Sequence, residues 1–183
     1  RLCKPIILST GLSSLAEIDR AVTVIEDAGN RELAILHCVA EYPPKDTDTN
    51  LLSIETLQRC YPDYHIGFSD HSVGACLSLA SIAIGAKIIE KHFTLDKEMF
   101  GWDHKISATP EELRQICEDG NRIVKALGSK RIATPESAER KTEFRRSIVT
   151  KRPIKKGHVF TYEDLTFKRP GNGIKPEFID FVV

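Results

Sequence analysis

The sequence has no excess of either charge and no long apolar run, and each absence argues against a class of protein. Its 26 lysines and arginines balance 26 aspartates and glutamates. This balance argues against a nucleic-acid surface and gives no support for electrostatic attachment to a membrane. No apolar stretch has the length of a membrane span, and no signal peptide is recognisable. A small-molecule partner is therefore the better expectation.

Cysteine is sparse and forms no pattern. The five cysteines are Cys3, Cys38, Cys60, Cys76 and Cys117. Their number is odd and no pair has the C-x-x-C spacing, so neither a disulfide framework nor a structural zinc site is indicated. A reducing cytoplasm is the expected compartment. The chain starts at Arg1 without a methionine, so Arg1 need not be the natural N-terminus.

What the sequence does contain is an alternation of short apolar runs and amphipathic segments. With 183 residues, 41% apolar and 28% charged, the composition is that of an ordinary globular protein. Strands are predicted at 5–10, 33–37, 66–71 and 87–92, and a helix is predicted after each of them. Capping boxes are predicted at Ser14 with Glu17 and at Thr109 with Glu112. Four strand–helix units predict a parallel α/β sheet, but four units do not close a barrel.

Two histidines stand where these units place chemistry. His71 ends the run 66–71 and His92 ends the run 87–92, with about one crossover helix between them. The carboxyl ends of parallel strands meet at one edge of a sheet, so the two imidazoles should lie together. Either histidine alone is more often a hydrogen-bonded loop residue than a ligand, but the pair favours a divalent metal site. The polar residues that flank them are Ser69, Asp70 and Glu90.

The remaining segments divide the chain. The loops at 38–50 and 93–108 are longer than minimal connections and are candidate functional loops. Residues 1–128 are expected to form half of a larger α/β fold and residues 129–144 a polar linker. Short β-like runs at 147–149, 159–160 and 165–167 then predict a small second domain at 145–183, incomplete at its C-terminus. This open sheet is expected to fold poorly alone because both of its edges would be exposed.

Several runs, in this order and spacing, resemble the N-acetylneuraminate (sialic acid) synthase family across nearly the whole chain. They are KPIILSTG (4–11), LHC (36–38), YP (42–43), GFSDH (67–71), EKHFTLDK (90–97), DHK (103–105) and KRPGNGI (168–174). Members of that family join a (β/α)8 barrel to a small antifreeze-like, or SAF, domain. The resemblance implies the C-terminal half of a TIM barrel, strands five to eight, followed by a β-rich SAF domain.

The resemblance also implies an activity. His71 and His92 match histidines that hold a divalent ion, usually Mn²⁺, with Mg²⁺ or Co²⁺ as alternatives. That ion polarises the aldehyde of open-chain N-acetylmannosamine or a related N-acyl sugar. C3 of phosphoenolpyruvate attacks this carbonyl, water adds at C2, and phosphate leaves by C–O cleavage. The expected enzyme is a transferase that forms a nonulosonic acid.

Further roles follow from the same match. Ser9 and Ser69 correspond to serines that contact phosphoenolpyruvate, and Tyr42 and Asp103 to residues that hold the acceptor sugar. Glu90 is a candidate catalytic residue, with contact to the substrate or to a ligand histidine as its expected role. Arg169 matches an arginine that the SAF domain of one subunit inserts into the barrel of the other. A domain-swapped homodimer is therefore expected. The match gives no firm role to His37 or His104.

Two departures from the family pattern bear on the substrate and on the activity of this chain. Family members commonly carry Thr-Ser-x or Thr-Asn-x where this chain has Val39-Ala40-Glu41, which puts the acceptor in doubt. The alternatives are the acceptors of relatives that make legionaminic or pseudaminic acid, and the 6-phosphorylated sugar. The first half of the barrel supplies further substrate-binding residues in the family, so this chain is expected to be inactive alone. Other hypotheses are a non-catalytic sugar-binding or structural module, and a metal-dependent keto-acid aldolase or lyase.

Overall fold

The computed structural model describes residues 4–132 and 135–183. The first three residues, including Cys3, and positions 133 and 134 of the expected linker lie outside the described residues. The chain divides into two compact units, Arg1–Ser129 and Lys130–Val183. No helix in the described part of the chain is long and apolar enough to cross a membrane.

The first unit is built around one parallel sheet. Its strands, in chain order and also in sheet order, are β1 (Ile6–Ser9), β2 (Leu33–Cys38), β3 (His65–Asp70) and β4 (Ile89–Lys91). Its helices are α1 (Leu15–Asp27), α2 (Asp46–Thr49), α3 (Ser53–Cys60), α4 (Cys76–Ala83) and α5 (Pro110–Leu127). The predicted parallel α/β fold is confirmed.

Both predicted capping boxes are present. The Ser14 hydroxyl accepts from the backbone N–H of Glu17, and the Glu17 carboxylate accepts from the backbone N–H of Ser14. Thr109 and Glu112 make the same reciprocal pair at the start of α5. These bonds satisfy amide groups that the first turn of a helix leaves unpaired, so α1 and α5 begin where the sequence predicts.

The core lies between the sheet and the helices. Side chains alternate between the two faces of a strand, and in β2 the side chains of Leu33 and Ile35 belong to the core cluster. Helices α1 and α3 pack residues such as Ile18 and Leu57 against them. The other core members are Val22, Ile54, Tyr61, Ile66, Phe68 and Ala86. The opposite face of the sheet carries the candidate chemistry.

The structure differs from the sequence-based expectation in two connections. Loop 38–50 contains the short helix α2, and Asn50, with a left-handed φ of 45°, separates α2 from α3. The end of the expected linker is also helical, as α6 (Ala138–Phe144), and it belongs to the second unit. Ser137 caps α6 by accepting from the Arg140 N–H. The polar sequence of α6 lacks the apolar periodicity that would have predicted a helix.

The second unit contains a small antiparallel pair of strands. These strands are β5 (Ser147–Thr150) and β6 (Leu165–Lys168), with Ser147 opposite Lys168. A short 3₁₀ turn at Tyr162–Asp164 directly precedes β6, and another at Pro176–Phe181 follows it. The predicted β-like run at Val159 and Phe160 is wrong, because neither residue pairs in a strand.

Asp164 is a buried carboxylate in the turn before β6, and side chains and a backbone N–H from neighbouring segments bond to it. His158 Nε2 lies 2.7 Å and Arg152 Nη2 2.6 Å from its oxygens, and both the N–H and the hydroxyl of Thr161 donate to it. The hydrogen bond to His158, followed by those from Thr161 and Arg152, outweighs burial and lowers the pKa of Asp164. The folded unit therefore favours the charged carboxylate.

The lowered pKa makes the stability of this unit depend on acidity. A carboxyl whose pKa is lower in the folded state adds stability that is present above its ordinary pKa of 3.8 and is lost as the pH falls below that value. We expect amide exchange in β5 and β6 of the full-length protein, corrected for its intrinsic pH dependence, to accelerate as the solution is acidified through this range. In Asp164→Asn this acceleration should be much weaker. An equally steep change in the variant would contradict the assignment.

Candidate functional site

His71 and His92 meet at the carboxyl edge of the sheet. Each follows the last residue of its strand, and the β3–β4 register pairs Ser69 with Glu90 and Asp70 with Lys91. His71 and His92, which come next along the two strands, are therefore neighbours. Their ring centres lie 5.2 Å apart, with an angle of 65° between the ring planes.

The surroundings of His71 determine which ring nitrogen it presents. Its side chain is buried, and Nδ1 lies 2.8 Å from the carbonyl oxygen of Val39. A carbonyl only accepts, so Nδ1 carries the proton and donates. Cys38 Sγ lies 3.9 Å from the same nitrogen. This arrangement leaves the lone pair of Nε2 for a ligand.

His92 is more open and lies beside a carboxylate. Its Nδ1 is 3.6 Å from Oδ2 of Asp103, and both side chains are partly exposed. The carboxylate lies beside Nδ1, so Nε2 is the ring nitrogen that Asp103 leaves open. The ring of Tyr42 lies 4.2 Å from that of His71 and 5.7 Å from that of His92. These four side chains surround one small region above the strand ends.

The histidine pair fits a divalent ion. Two imidazoles bound to one ion through bonds of about 2.1 Å have ring centres roughly 5 Å apart, which agrees with the observed separation. Within residues 4–132 and 135–183, no group of three or more histidine, cysteine, aspartate or glutamate side chains is arranged to hold a metal ion. The described residues thus bring two imidazoles together at this edge of the sheet.

Ser69 and Glu90 form a second pair on the same face of the sheet. Each lies two residues before a histidine, and the Ser69 hydroxyl donates to Glu90 Oε1 at 2.5 Å. Ser69 is buried, whereas Glu90 is exposed. The hydroxyl proton is engaged by the carboxylate in this arrangement. Ser69 can therefore donate to a bound anion only if it releases Glu90.

The remaining candidates in the first unit are less closely associated. Ser9 ends β1, is exposed, and pairs in register with Leu36. The strand β2 separates it from Ser69. His37 and His104 have local partners, since His37 Nε2 lies 2.7 Å from the Thr49 carbonyl oxygen and His104 Nδ1 lies 2.8 Å from Thr94 Oγ1. Both are accounted for by local structure.

Arg169 is held on the surface of the second unit. Its Nε donates to the carbonyl oxygen of Phe144 at 2.8 Å, and its guanidinium carbon lies 5.1 Å from the centre of the Phe144 ring. Arg140 lies 5.0 Å from the centre of the same ring. These contacts restrict the side chain of Arg169.

Two features of the site were missed from the sequence. The Val39 carbonyl that orients His71 is a backbone group, and no side-chain pattern reports it. Lys91 forms a buried ion pair with Asp70 at 3.0 Å. A signal for Lys91 was available, because strand alternation places the residue before His92 on the opposite, core-facing side. A charged residue at such a position needs a partner.

The residues Val39, Ala40 and Glu41 help to line a cavity of about 420 Å³. Its wall also includes hydroxyl side chains, Thr10 and Ser13 among them, together with apolar side chains of α1 and α3. The cavity therefore adjoins the Val39 carbonyl that orients His71.

Comparison with known families decides which family the chain belongs to. The model of the NeuB family matches residues 1–132, and the model of the SAF domain matches residues 145–183. The chain belongs to the NeuB family. The resemblance drawn from its motifs is thereby confirmed.

Individual relatives of this NeuB-family chain agree with that assignment. It is 44% identical to an uncharacterized protein of Methanocaldococcus jannaschii, covering 98% of this chain and 53% of that protein. It is 42% identical to the N,N'-diacetyllegionaminic acid synthase of Campylobacter jejuni, covering 95% and 53%. The crystal structure of a sialic acid synthetase from Leptospira borgpetersenii, in complex with citrate, matches with a TM-score of 0.68 and 40% identity, covering 75% and 47%. The chain spans about half the length of the curated relatives it matches.

Proposed function

We propose that the full-length protein condenses phosphoenolpyruvate with an N-acyl amino sugar to give a nonulosonic acid and phosphate. In this proposal, the four strand–helix units complete a (β/α)8 barrel with a preceding half. The observation that carries it is the pair of imidazoles, with Nε2 available on His71 and on His92, at the carboxyl edge of the sheet in a NeuB-family chain. Active sites of such barrels are built at this edge.

The side chains suit these reactants. A divalent ion, with Mn²⁺ as our first choice, would be held by His71 and His92 and would supply Lewis-acid polarisation of the acceptor aldehyde. The Val39 carbonyl orients the imidazole of His71, and the Asp103 carboxylate lies 3.6 Å from that of His92. The exposed ring of Tyr42 offers a face against which a sugar can pack.

Ser69 and Glu90 are the candidate groups for the phosphoenolpyruvate side of the reaction. An anion that approaches Ser69 competes with Glu90 for the hydroxyl proton. Glu90 would then be free to orient a water molecule or an acceptor hydroxyl. Ser9 would reach the same substrate from β1.

The acceptor is proposed only as a class. The Campylobacter relative is named as a diacetyllegionaminic acid synthase, and the altered segment 39–41 lines a mixed polar and apolar cavity. We therefore favour an N-acyl sugar, with diacetamido sugars tested beside N-acetylmannosamine and its 6-phosphate.

Phosphate release by the full-length protein tests the proposal. We expect release that requires phosphoenolpyruvate, one of these acceptors and a divalent ion, and that stops with EDTA and returns with Mn²⁺. A folded full-length protein that releases no phosphate with any of these sugars would contradict the synthase. The hypotheses of a keto-acid aldolase or lyase and of a sugar-binding module would then be preferred.

Arg169 provides a test of the proposed domain-swapped dimer. We expect Arg169→Ala to lower kcat/KM about a hundredfold, because a charge-assisted contact to substrate is lost. Affinity for Mn²⁺ should be unchanged. Arg146→Ala, which removes an exposed arginine of the same unit, is the matched control and should have little effect.

Mixed dimers distinguish whether Arg169 completes the active site of the partner subunit or that of its own subunit. Co-expressed Arg169→Ala and His71→Ala chains should recover about a quarter of the wild-type activity, because half of the dimers are mixed and each has one complete site. If Arg169 served its own subunit, the mixture would stay inactive.

A further inference from the structure

Directly behind the histidine pair lies a buried ion pair. Lys91 Nζ is 3.0 Å from Asp70 Oδ2, and the two side chains are 2% and 0% exposed. Their positions in the chain are notable, because Asp70 immediately precedes His71 and Lys91 immediately precedes His92. Asp70 and Lys91 are also register partners at the end of the β3–β4 ladder.

The pair extends its contacts around His71. The Asp70 carboxylate accepts from the N–H of Ser72 at 2.8 Å, from the hydroxyl of Ser72 at 2.6 Å and from the hydroxyl of Ser78 at 2.5 Å. Lys91 Nζ donates to the Ser72 carbonyl oxygen at 2.6 Å. The residues on both sides of His71 are therefore tied to the strand that leads into His92.

The ion pair itself lies away from the reacting groups. Side chains alternate along a strand, so Asp70 and Lys91 point to the face opposite Ser69 and Glu90. Neither is exposed enough to touch a substrate. If they affect the site, they act through the histidines that follow them.

Stability alone is a weak reason for this pair. Replacing a buried ion pair with apolar side chains of similar volume is often neutral or stabilising. What an ion pair adds is a defined geometry, because the Lys91 ammonium must contact the Asp70 carboxylate and the Ser72 carbonyl at the same time. This requirement fixes the end of β3, the end of β4 and the following turn relative to one another.

We propose that the Asp70–Lys91 ion pair is a positioning device that sets the separation of His71 and His92, and through it the affinity of the site for a divalent cation. The inference rests on the proposed function, which places the cation between these histidines. Supporting groups of metal ligands commonly change affinity ten- to a hundredfold when they are altered.

The test compares Mn²⁺ affinity with stability in the full-length protein. In the double variant Asp70→Leu/Lys91→Met, both charges are removed together, so no unpaired charge is left buried. We expect a lower thermal midpoint, because the N–H and hydroxyl of Ser72 and the hydroxyl of Ser78 lose their acceptor, and, in the protein that stays folded, a Kd for Mn²⁺ weakened at least about tenfold. A folded double variant that binds Mn²⁺ as tightly as wild type would overturn the inference.

A second variant keeps the inference testable if the double variant does not fold. Lys91→Arg retains the charge but moves it along a longer, planar group, so it should also weaken Mn²⁺ binding in a folded protein. Glu26→Gln, which alters the hydrogen bond to Tyr64 elsewhere in this unit, is the control and should leave the Kd unchanged. An unchanged Kd in Lys91→Arg would count against positioning.

The proposed function and the positioning role of the ion pair can be contradicted separately. If the wild-type protein binds no Mn²⁺ and releases no phosphate, the proposed function is wrong and this inference is wrong with it. If the wild type binds and reacts while the folded variants bind equally well, only the positioning role is wrong.

Discussion

Replacing His71 or His92 with alanine is expected to lower Mn²⁺-dependent phosphate release by about a thousandfold, because a Lewis acid contributes several kcal/mol to the transition state. Within the described residues, His71 and His92 are the two imidazoles brought together at this edge, so either substitution removes one of the two ligands that this chain is proposed to contribute. Mn²⁺ binding, measured by calorimetry on the full-length protein, should weaken in parallel with the rate.

His65→Ala is the matched control for this experiment. His65 begins the same strand, β3, at its opposite end and is exposed. The control should retain wild-type activity and Mn²⁺ affinity. If His71→Ala or His92→Ala released phosphate at the wild-type rate, the histidine pair would not be the metal site.

Gly67→Ala is expected to destabilise the first unit by about 3 kcal/mol, at the upper end of the cost of overpacking a core. Gly67 lies in the middle of β3, and a Cβ there would clash with Leu36 Cδ2 and would lie 2.5 Å from the Ile88 carbonyl oxygen. Leu36 is fully buried and the oxygen is backbone, so neither can move away cheaply. Urea denaturation of the full-length protein measures the loss.

Gly120→Ala gives the contrasting case. Its added Cβ would meet only the terminal Cδ1 of Ile82, at 2.8 Å, and this atom is the flexible end of a side chain. Alanine also favours the helix α5 by up to about 1 kcal/mol over glycine. The variant should therefore be close to wild type in stability. Equal losses at Gly67 and Gly120 would contradict the packing described for β3.

The elements that the sequence predicted well are those specified by local chemistry. The capping pairs at Ser14 and Thr109 each combine an acceptor hydroxyl with a glutamate three residues later, and both helices begin there. The buried strands carry apolar runs ended by polar residues. Helix α6 has no such pattern, and its position depends on contacts within the second unit, such as that between the Thr142 carbonyl and the N–H of Gly171.

The candidate site likewise combines features that the local sequence predicts with features that depend on distant contacts. The placement of His71 and His92 at two strand ends was enough to predict that they would lie together. The free nitrogen of His71 could not be predicted, because it depends on a carbonyl 32 residues away in sequence. The bond between Ser69 and Glu90 depends on the strand register, which is set by packing across the sheet rather than by either segment alone.

The most direct test of the central claim is an anomalous difference map from crystals of the full-length protein grown with Mn²⁺. The proposal predicts one strong peak between the two rings, bonded to Nε2 of His71 and Nε2 of His92. The absence of that peak in a protein shown to release phosphate with Mn²⁺, or a peak held by other residues, would contradict it.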